Sequence, residues 1–237
     1  MDNKKVVYIT GGSKGIGLGT AQYLLNKGYK VAISSRNLSS AQQAVQSFKA
    51  DKEDILALQS DVRNAEDEKN AVRQILNKWG RLDVLVANAG VGHFAPIDEL
   101  TSKQWSEVID TNVTGVFNSV KACVDEIKKT KGYIITIASL AGTYFSEKGT
   151  AYNASKFAMV GFTQALMLDL RQHEVKVTTI MPGSVTSYFN NHVPSAEDAW
   201  KIQPEDIGEM VYDLLKMNPR VLPSKIEVRP AKPPVKK

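Results

Sequence analysis

Six short runs of aliphatic and β-branched residues, separated by stretches of helical periodicity, constrain this chain more than any other feature. The runs are "KKVVYIT" (4–10), "YKVAISS" (29–35), "DILALQS" (54–60), "RLDVLVANAG" (81–90), "GYIITIAS" (132–139) and "VKVTTIMPG" (175–183). They are nearly continuous in Val, Ile and Leu instead of alternating apolar with polar, so each strand is expected to be buried on both faces. The segments between them read as helices, from the first glycine turn to about Lys27, then at 38–50, 64–79, 101–109, 112–129 and 150–172. A strand followed by a helix, repeated, gives an α/β fold with a doubly wound parallel sheet and helices on both faces. One domain is expected over 1–230, and the basic, proline-rich residues 231–237 read as a flexible tail.

Right-handed crossovers bring the carboxyl ends of the strands to one edge, where sheets of this kind bind ligands. Interest therefore falls on the residues just after Thr10, Ser35, Ser60, Ala87, Ala138 and Met181. The first strand leads into "TGGSKGIGLGT", whose glycines at 11, 15 and 17 let the backbone turn sharply and approach an anion. Amides at the start of the next helix then point toward phosphate. The spacing is GxxxGxG rather than GxGxxG; the alternative is a merely tight turn, but its place after the first strand favours a nucleotide. The second strand ends in Ser35 and Arg36, with no carboxylate. An acid there would serve an adenosine ribose, whereas a guanidinium pairs with a 2′-phosphate, which Lys14 could also approach. A surface arginine is the plainer alternative. Asp61 and Val62 suit an adenine amino group and ring face, or else a helix cap. The small residues of "ANAG" (87–90) allow close approach to a flat ligand. Asn112 begins a long helix and could be a simple N-cap.

A tyrosine four residues ahead of a lysine occurs four times among the eight tyrosines, at Tyr23/Lys27, Tyr144/Lys148, Tyr152/Lys156 and Tyr212/Lys216. The spacing alone decides nothing. Only Tyr152 follows a strand that ends in a hydroxyl, Ser139, 13 residues earlier. On a helix, Tyr152 and Lys156 share one face.

Composition narrows the function class. Net charge is +5, but acids and bases alternate, as in "NAEDEKNAVRQ", which argues against a nucleic-acid surface. A mildly basic chain still favours an anionic ligand. No apolar run approaches the ~20 residues of a membrane span, and the N-terminus enters a strand with no signal-peptide shape. The single cysteine, Cys123, precludes an internal disulfide and suits a reducing cytoplasm. No residues show metal-ligand spacing.

The sequence resembles the short-chain dehydrogenase/reductase family from about Lys5 to Val228, in particular its NADP-preferring carbonyl reductases and 3-oxoacyl-carrier-protein reductases. Thr10 with Gly11, Gly15 and Gly17 matches the family's cofactor loop, and "ANAG" its Asn-Asn-Ala-Gly motif with alanine first. Asn112, Ser139, Tyr152 and Lys156 match its catalytic tetrad. Pro182, Gly183, Val185 and Ser187 match the segment that holds the nicotinamide amide, with serine replacing the usual threonine. The resemblance implies a Rossmann-type fold and a cytoplasmic oxidoreductase with NADP(H) as cofactor. The glycine loop with Ser13, Lys14 and Ile16 would hold it, joined by Ser35, Arg36, Asp61, Val62, Asn88, Ala89, Gly90, Tyr152 and Lys156. Tyr152 is then the general acid of carbonyl reduction. A free phenol has a pKa of ~10, which the Lys156 ammonium and the oxidised nicotinamide lower. Ser139 donates to the oxygen where negative charge develops, and Asn112 helps hold a water that links Lys156 to solvent.

The substrate pocket is expected from His93, Phe94, Leu140, Tyr144, Phe145, Ser184, Tyr188 and Phe189, with Trp200 in a short 187–202 lid. Such a cleft suits a small or medium, apolar carbonyl compound. A 3-oxoacyl thioester is the alternative substrate, and a non-catalytic NADP(H)-binding sensor the alternative of another class. The helices at 112–127 and 152–170 are apolar on more than one side, where a helix buried only on the sheet would carry a polar stripe. The family places a subunit interface there, which implies a homodimer or homotetramer.

Overall fold

The computed structural model describes residues 4–232, so most of the expected tail at 231–237 lies outside the described residues. Its strands are β1 (Val6–Ile9), β2 (Lys30–Ser35), β3 (Ile55–Gln59), β4 (Val84–Ala87), β5 (Tyr133–Ile137), β6 (Lys176–Pro182) and β7 (Lys225–Val228). They form one sheet in the order β3-β2-β1-β4-β5-β6-β7, with every pairing parallel. The helices are α1 (Gly15–Asn26), α2 (Leu38–Ser47), α3 (Ala65–Trp79), α4 (Ser102–Ile109), α5 (Gly115–Thr130), α6 (Thr150–Leu170) and α7 (Pro204–Lys216).

The unbroken apolar strands have the predicted consequence. In β1, Val6 and Tyr8 enter one core with residues of α3, α5 and α6, while Val7 and Ile9 enter the opposite core with residues of α1 and α7. Burying each such side chain contributes about 1.5–3 kcal/mol, and both faces contribute. The chain runs outward from β1 through β2 and β3, then returns to add β4 on the other side. That reversal leaves a crevice above β1 and β4, where such sheets bind ligands.

Two expectations change. Asn112 is no N-cap: it lies fully buried in a π-helical turn, Asp110–Thr114, that joins α4 to α5 as one helical run. The run starts instead at Thr101, whose hydroxyl accepts from Gln104 N at 3.2 Å while Gln104 reaches back to Thr101 N. No glycine or proline interrupts the chain between the two segments, so nothing forces a new start. The second change is the C-terminal pair, α7 and β7, which extends the expected pattern. Pro204 opens α7, Glu205 and Asp206 follow in its first turn, and Ile207, Val211 and Leu214 form its buried stripe. β7 is an edge strand of alternating exposure, recognisable only through its pairing with β6. Among the described residues no helix is long and apolar enough to cross a membrane.

Helix α7 packs closely on α1 because position 208 is glycine. A Cβ there would stand 2.7 Å from Tyr23 Cβ and 3.0 Å from Thr20 Cα. Gly208→Val is expected to destabilise the protein by about 1–3 kcal/mol, lowering the melting temperature by roughly 2–10 °C in calorimetry. An unchanged melting temperature would show that the two helices are not held this tightly.

Candidate active site

The crevice is built by a clamp between the ends of β1 and β4. Thr10 Oγ1 accepts from the backbone amides of Asn88 and Ala89, both at 3.1 Å. The Asn88 carboxamide donates in return to the carbonyls of Thr10 at 2.9 Å and Gly11 at 3.1 Å. The glycine loop is thereby tied to "ANAG". Gly11 and Gly15 have φ of +64° and +56°, and a Cβ on Gly11 would stand 2.9 Å from Ala89 Cα, so both the conformation and the space require glycine. Above lies a cleft of about 700 Å³ that reaches from Gly11, Lys14 and Arg36 to Ser139, Tyr152 and Lys156.

At its inner end the Tyr152 hydroxyl faces Ser139; burial pushes the phenol up, and the nearby serine opposes this. Ser139 Oγ accepts from Ala141 N at 3.1 Å, which leaves its own proton to donate. Lys156 sits one helical turn from Tyr152, its ammonium 5.6 Å from the tyrosine ring centre, and donates to Ile137 O at 3.1 Å. With no carboxylate as partner, burial pushes this lysine down to about 7. Asn112 clamps the β4 loop: it accepts from Val91 N and donates to Val91 O, each at 2.8 Å, and donates to Ser155 Oγ at 3.0 Å.

The outer end carries the charges. Lys14 and Arg36, with Ser13, Ser35, Asn37, Ser40 and Gln43, line a side cavity of about 400 Å³ whose lining has no carboxylate. On the cleft side, Arg36 lies 3.9 Å from Glu107, which also meets His93 Nε2 at 2.9 Å. Val62 and Asp61 line the cleft as well. The Asp61 carboxylate is turned onto Arg63, which donates from Nε at 2.9 Å and from Nη2 at 2.5 Å and holds the carboxyl below its usual range. The cap before α3 is Asn64. Ile16, Ala89, Gly90, Pro182, Gly183, Val185 and Ser187 complete the cofactor-side lining, and Gly17 lies beneath it against Asn88.

Of the expected substrate residues, His93, Ser184, Tyr188 and Phe189 line the cleft. Phe94 stands just behind, 5.2 Å from Tyr152 and 6.3 Å from Phe189 between ring centres. Leu140, Tyr144, Phe145 and Trp200 are not among the lining residues. Leu140 is directed toward Gly183. Tyr144 lies under the Arg229 guanidinium, and Phe145, 86% exposed, stacks on Phe157 of α6. The short helical turn at Leu140–Gly142 carries these three away from the crevice. The lid is latched by Asp198, a buried carboxylate 2.6 Å from His192 and 2.5 Å from Lys201. Hydrogen bonds from Lys201 and His192 hold it well below the usual carboxylate range.

Sequence reasoning missed Glu107, Thr111, Lys201 and the pair Asn190–Asn191, all of which line the cleft. Glu107 and Thr111 project from α4 and its π turn, and no strand end announces them. Asn190 and Asn191 have φ of 53° and 59°, a conformation asparagine tolerates, so "NN" was a readable turn signal. A dinucleotide fits this site on three observations: the glycine cradle that a Cβ would fill, the cleft's length, and the cationic side cavity without acids.

Comparison with known proteins agrees. A sequence profile described as short chain dehydrogenase matches residues 5–198. An uncharacterized oxidoreductase of Staphylococcus saprophyticus is 32% identical over 95% of this chain and 97% of its own length. A 3-oxoacyl-(acyl-carrier-protein) reductase of Staphylococcus aureus is 32% identical over 79% of this chain and 77% of its own. An alcohol dehydrogenase from the archaeon Thermococcus sibiricus, solved with 5-hydroxy-NADP, superposes with a TM-score of 0.87 over 97% of each chain at 28% identity.

The buried Lys156 makes stability depend on pH. Its folded value near 7 lies below the ~10.4 of an unfolded lysine, so the unfolded chain holds the extra proton between those limits. Stability attributable to this group therefore rises with pH from about 7 to about 10. Lys156→Met removes that slope: its melting temperature should exceed the wild type's most at pH 6, with the gap shrinking toward pH 10 in thermal melts. A gap independent of pH would mean that the lysine is not desolvated.

Proposed function

The chain belongs to the short-chain dehydrogenase family, and on that footing we propose that it is an NADPH-dependent reductase of a small or medium, apolar carbonyl compound. The observation that carries this is the Tyr152 hydroxyl, paired with Ser139 and backed by Lys156 at the floor of a dinucleotide-shaped cleft. When bound, NADPH supplies a hydride, with its two electrons, to the carbonyl carbon. Tyr152 gives its phenolic proton to the oxygen, so the ketone or aldehyde leaves as an alcohol; the reverse reaction starts from the phenolate. Ser139 donates to the same oxygen as charge builds there. A charged Lys156 favours the phenolate and so eases proton release from a group whose free pKa is ~10. Asn112 fixes Val91, and with it the loop against which cofactor and substrate lie.

Arg36 and Lys14, in a side cavity without carboxylates, support preference for the 2′-phosphorylated cofactor. The second reading, a 3-oxoacyl-thioester reductase, is favoured by the Staphylococcus aureus relative. A non-catalytic sensor is the third, and Tyr152 with Lys156 would have no chemical task in it. For assembly we propose a homodimer or homotetramer through α5 and α6, where Phe117 and Leu168 are half-exposed or more. A cytoplasmic setting suits the buried, unpaired Cys123.

Turnover is tested by NADPH absorbance against ketones, aldehydes, diketones and 3-oxoacyl thioesters, with NADH in parallel. Tyr152→Phe is expected to lower kcat by about 10²–10⁴-fold while NADPH still binds. Binding without turnover of any carbonyl would favour the sensor. Arg36→Asp should weaken NADPH relative to NADH by at least about tenfold; an unchanged ratio would remove Arg36 from the cofactor site.

A further inference from the structure

The lid presents one side chain whose position is unusual for its chemistry. Phe189, still 37% exposed, lies over a notch floored by Gly92 and walled by Phe94 and Tyr152. Its ring centre lies 5.3 Å from that of Tyr152, tilted by 50°, and 6.3 Å from that of Phe94, nearly perpendicular at 82°. Both separations are those of interacting aromatic pairs, and the pair with Phe94 has the favoured edge-to-face orientation. The fit depends on glycine at 92: a Cβ there would stand 2.5 Å from Phe189 Cζ and 3.0 Å from Phe94 Cε2. The notch thus has the dimensions of one planar ring, and one of its walls is the residue assigned the proton.

We infer that the notch between Gly92, Phe94 and Tyr152 seats an aromatic ring attached to the substrate's carbonyl carbon, in place of Phe189. This rests on the reductase reading above and names its substrate class, an uncharged aryl ketone or aryl aldehyde. A carbonyl borne by a ring in the notch would open into the cleft that Tyr152 and Ser139 line. The basic side chains nearby are already engaged by carboxylates, Lys201 and His192 by Asp198 and His93 by Glu107, which favours an uncharged substrate. Phe189 is placed to leave. It sits on a turn whose next two residues, Asn190 and Asn191, have positive φ. The turn is anchored on one side by the Val185–Ile202 bridge and the bonds of Thr186 to Ile202, Asp198 and Gln203, and on the other by the Asp198 latch.

The test uses the full chain and two ketones of similar size, acetophenone and cyclohexyl methyl ketone, with butanone as a small reference. Binding is read without cofactor by ligand-observed saturation-transfer NMR, and turnover separately with NADPH. Acetophenone is expected to bind the wild type at least about tenfold more tightly than its saturated analogue. Gly92→Ala should weaken acetophenone by about tenfold, more than it affects butanone turnover. Phe189→Ala should strengthen acetophenone binding, and Phe94→Ala, which removes a wall instead of filling the floor, should repeat the selective loss. Equal binding of the two large ketones, or equal losses for acetophenone and butanone in Gly92→Ala, overturns the ring site. Butanone turnover without acetophenone binding also overturns it and leaves the reductase standing. Selective acetophenone binding with no carbonyl turned over upholds the ring site and removes the reductase reading.

Discussion

The reciprocal clamp of Thr10 and Asn88 is the constraint on which the site depends. Parallel strands need crossovers, and a doubly wound sheet must reverse direction somewhere, which here is between β1 and β4. At that point the two strands feed helices on opposite faces and their ends diverge, exposing backbone groups that a sheet would otherwise pair. Asn88 satisfies the carbonyls of Thr10 and Gly11, and the threonine hydroxyl satisfies two amides on the β4 side. The crevice is thus held open by hydrogen bonds rather than filled by side chains, and Ala89 and Gly11 can approach within van der Waals contact because neither has bulk to interpose.

Burial then sets the chemistry at the inner end. Lys156 and Tyr152 are both removed from water, and desolvation moves them in opposite directions, the ammonium down and the phenol up. Each shift favours the neutral form, so the pair gains its reactivity only when something nearby restores charge. An oxidised nicotinamide, were one bound beside Tyr152, would favour the phenolate. A second buried acid shows the same physics without a reaction. Glu68 on α3 lies under the sheet, 2.9 Å from Tyr8 Oη and 2.5 Å from Ser60 Oγ, with its carboxyl pushed up by burial. Because Ser60 lines the cleft, this buried carboxyl buttresses the floor under the outer half of the site.

Legibility in the sequence followed the strength of the local signal. Six strands and the helices between them were readable because aliphatic runs buried on two faces have few alternatives. Tyr152, Lys156 and Ser139 were readable because strand ends in such a sheet converge on one edge. α7 and β7 escaped for different reasons. "PEDIGEMVYDLLK" carries a proline start, an acidic first turn and a helical apolar stripe and was legible, whereas "KIEV" has no apolar run and is a strand only by pairing with β6. Asn112 illustrates a limit: asparagine near a helical stretch suggests a cap, and a π turn within a continuous helix has no sequence mark. Leu140, Tyr144 and Phe145 show another, since one short helical turn after Ser139 redirected three side chains that spacing had assigned to the pocket.

What selects the substrate lies farthest from those strong patterns. The lid has little regular structure, and its shape comes from ion pairs between residues three to six apart, His192 and Lys201 on Asp198, together with a two-residue bridge to the end of β6. In such a cluster the buried carboxylate is held by the Lys201 ammonium and the His192 imidazole, and removing the lysine would leave its charge uncompensated. It also places a carboxylate on Lys201 at the substrate side, while at the outer end Arg36 and Lys14 line a cavity without acids. The cleft is therefore polarised: cationic where a phosphate would sit, neutral and aromatic where the carbonyl would sit. Charge at one end and shape at the other would suit a mildly basic protein to an anionic cofactor and an uncharged substrate.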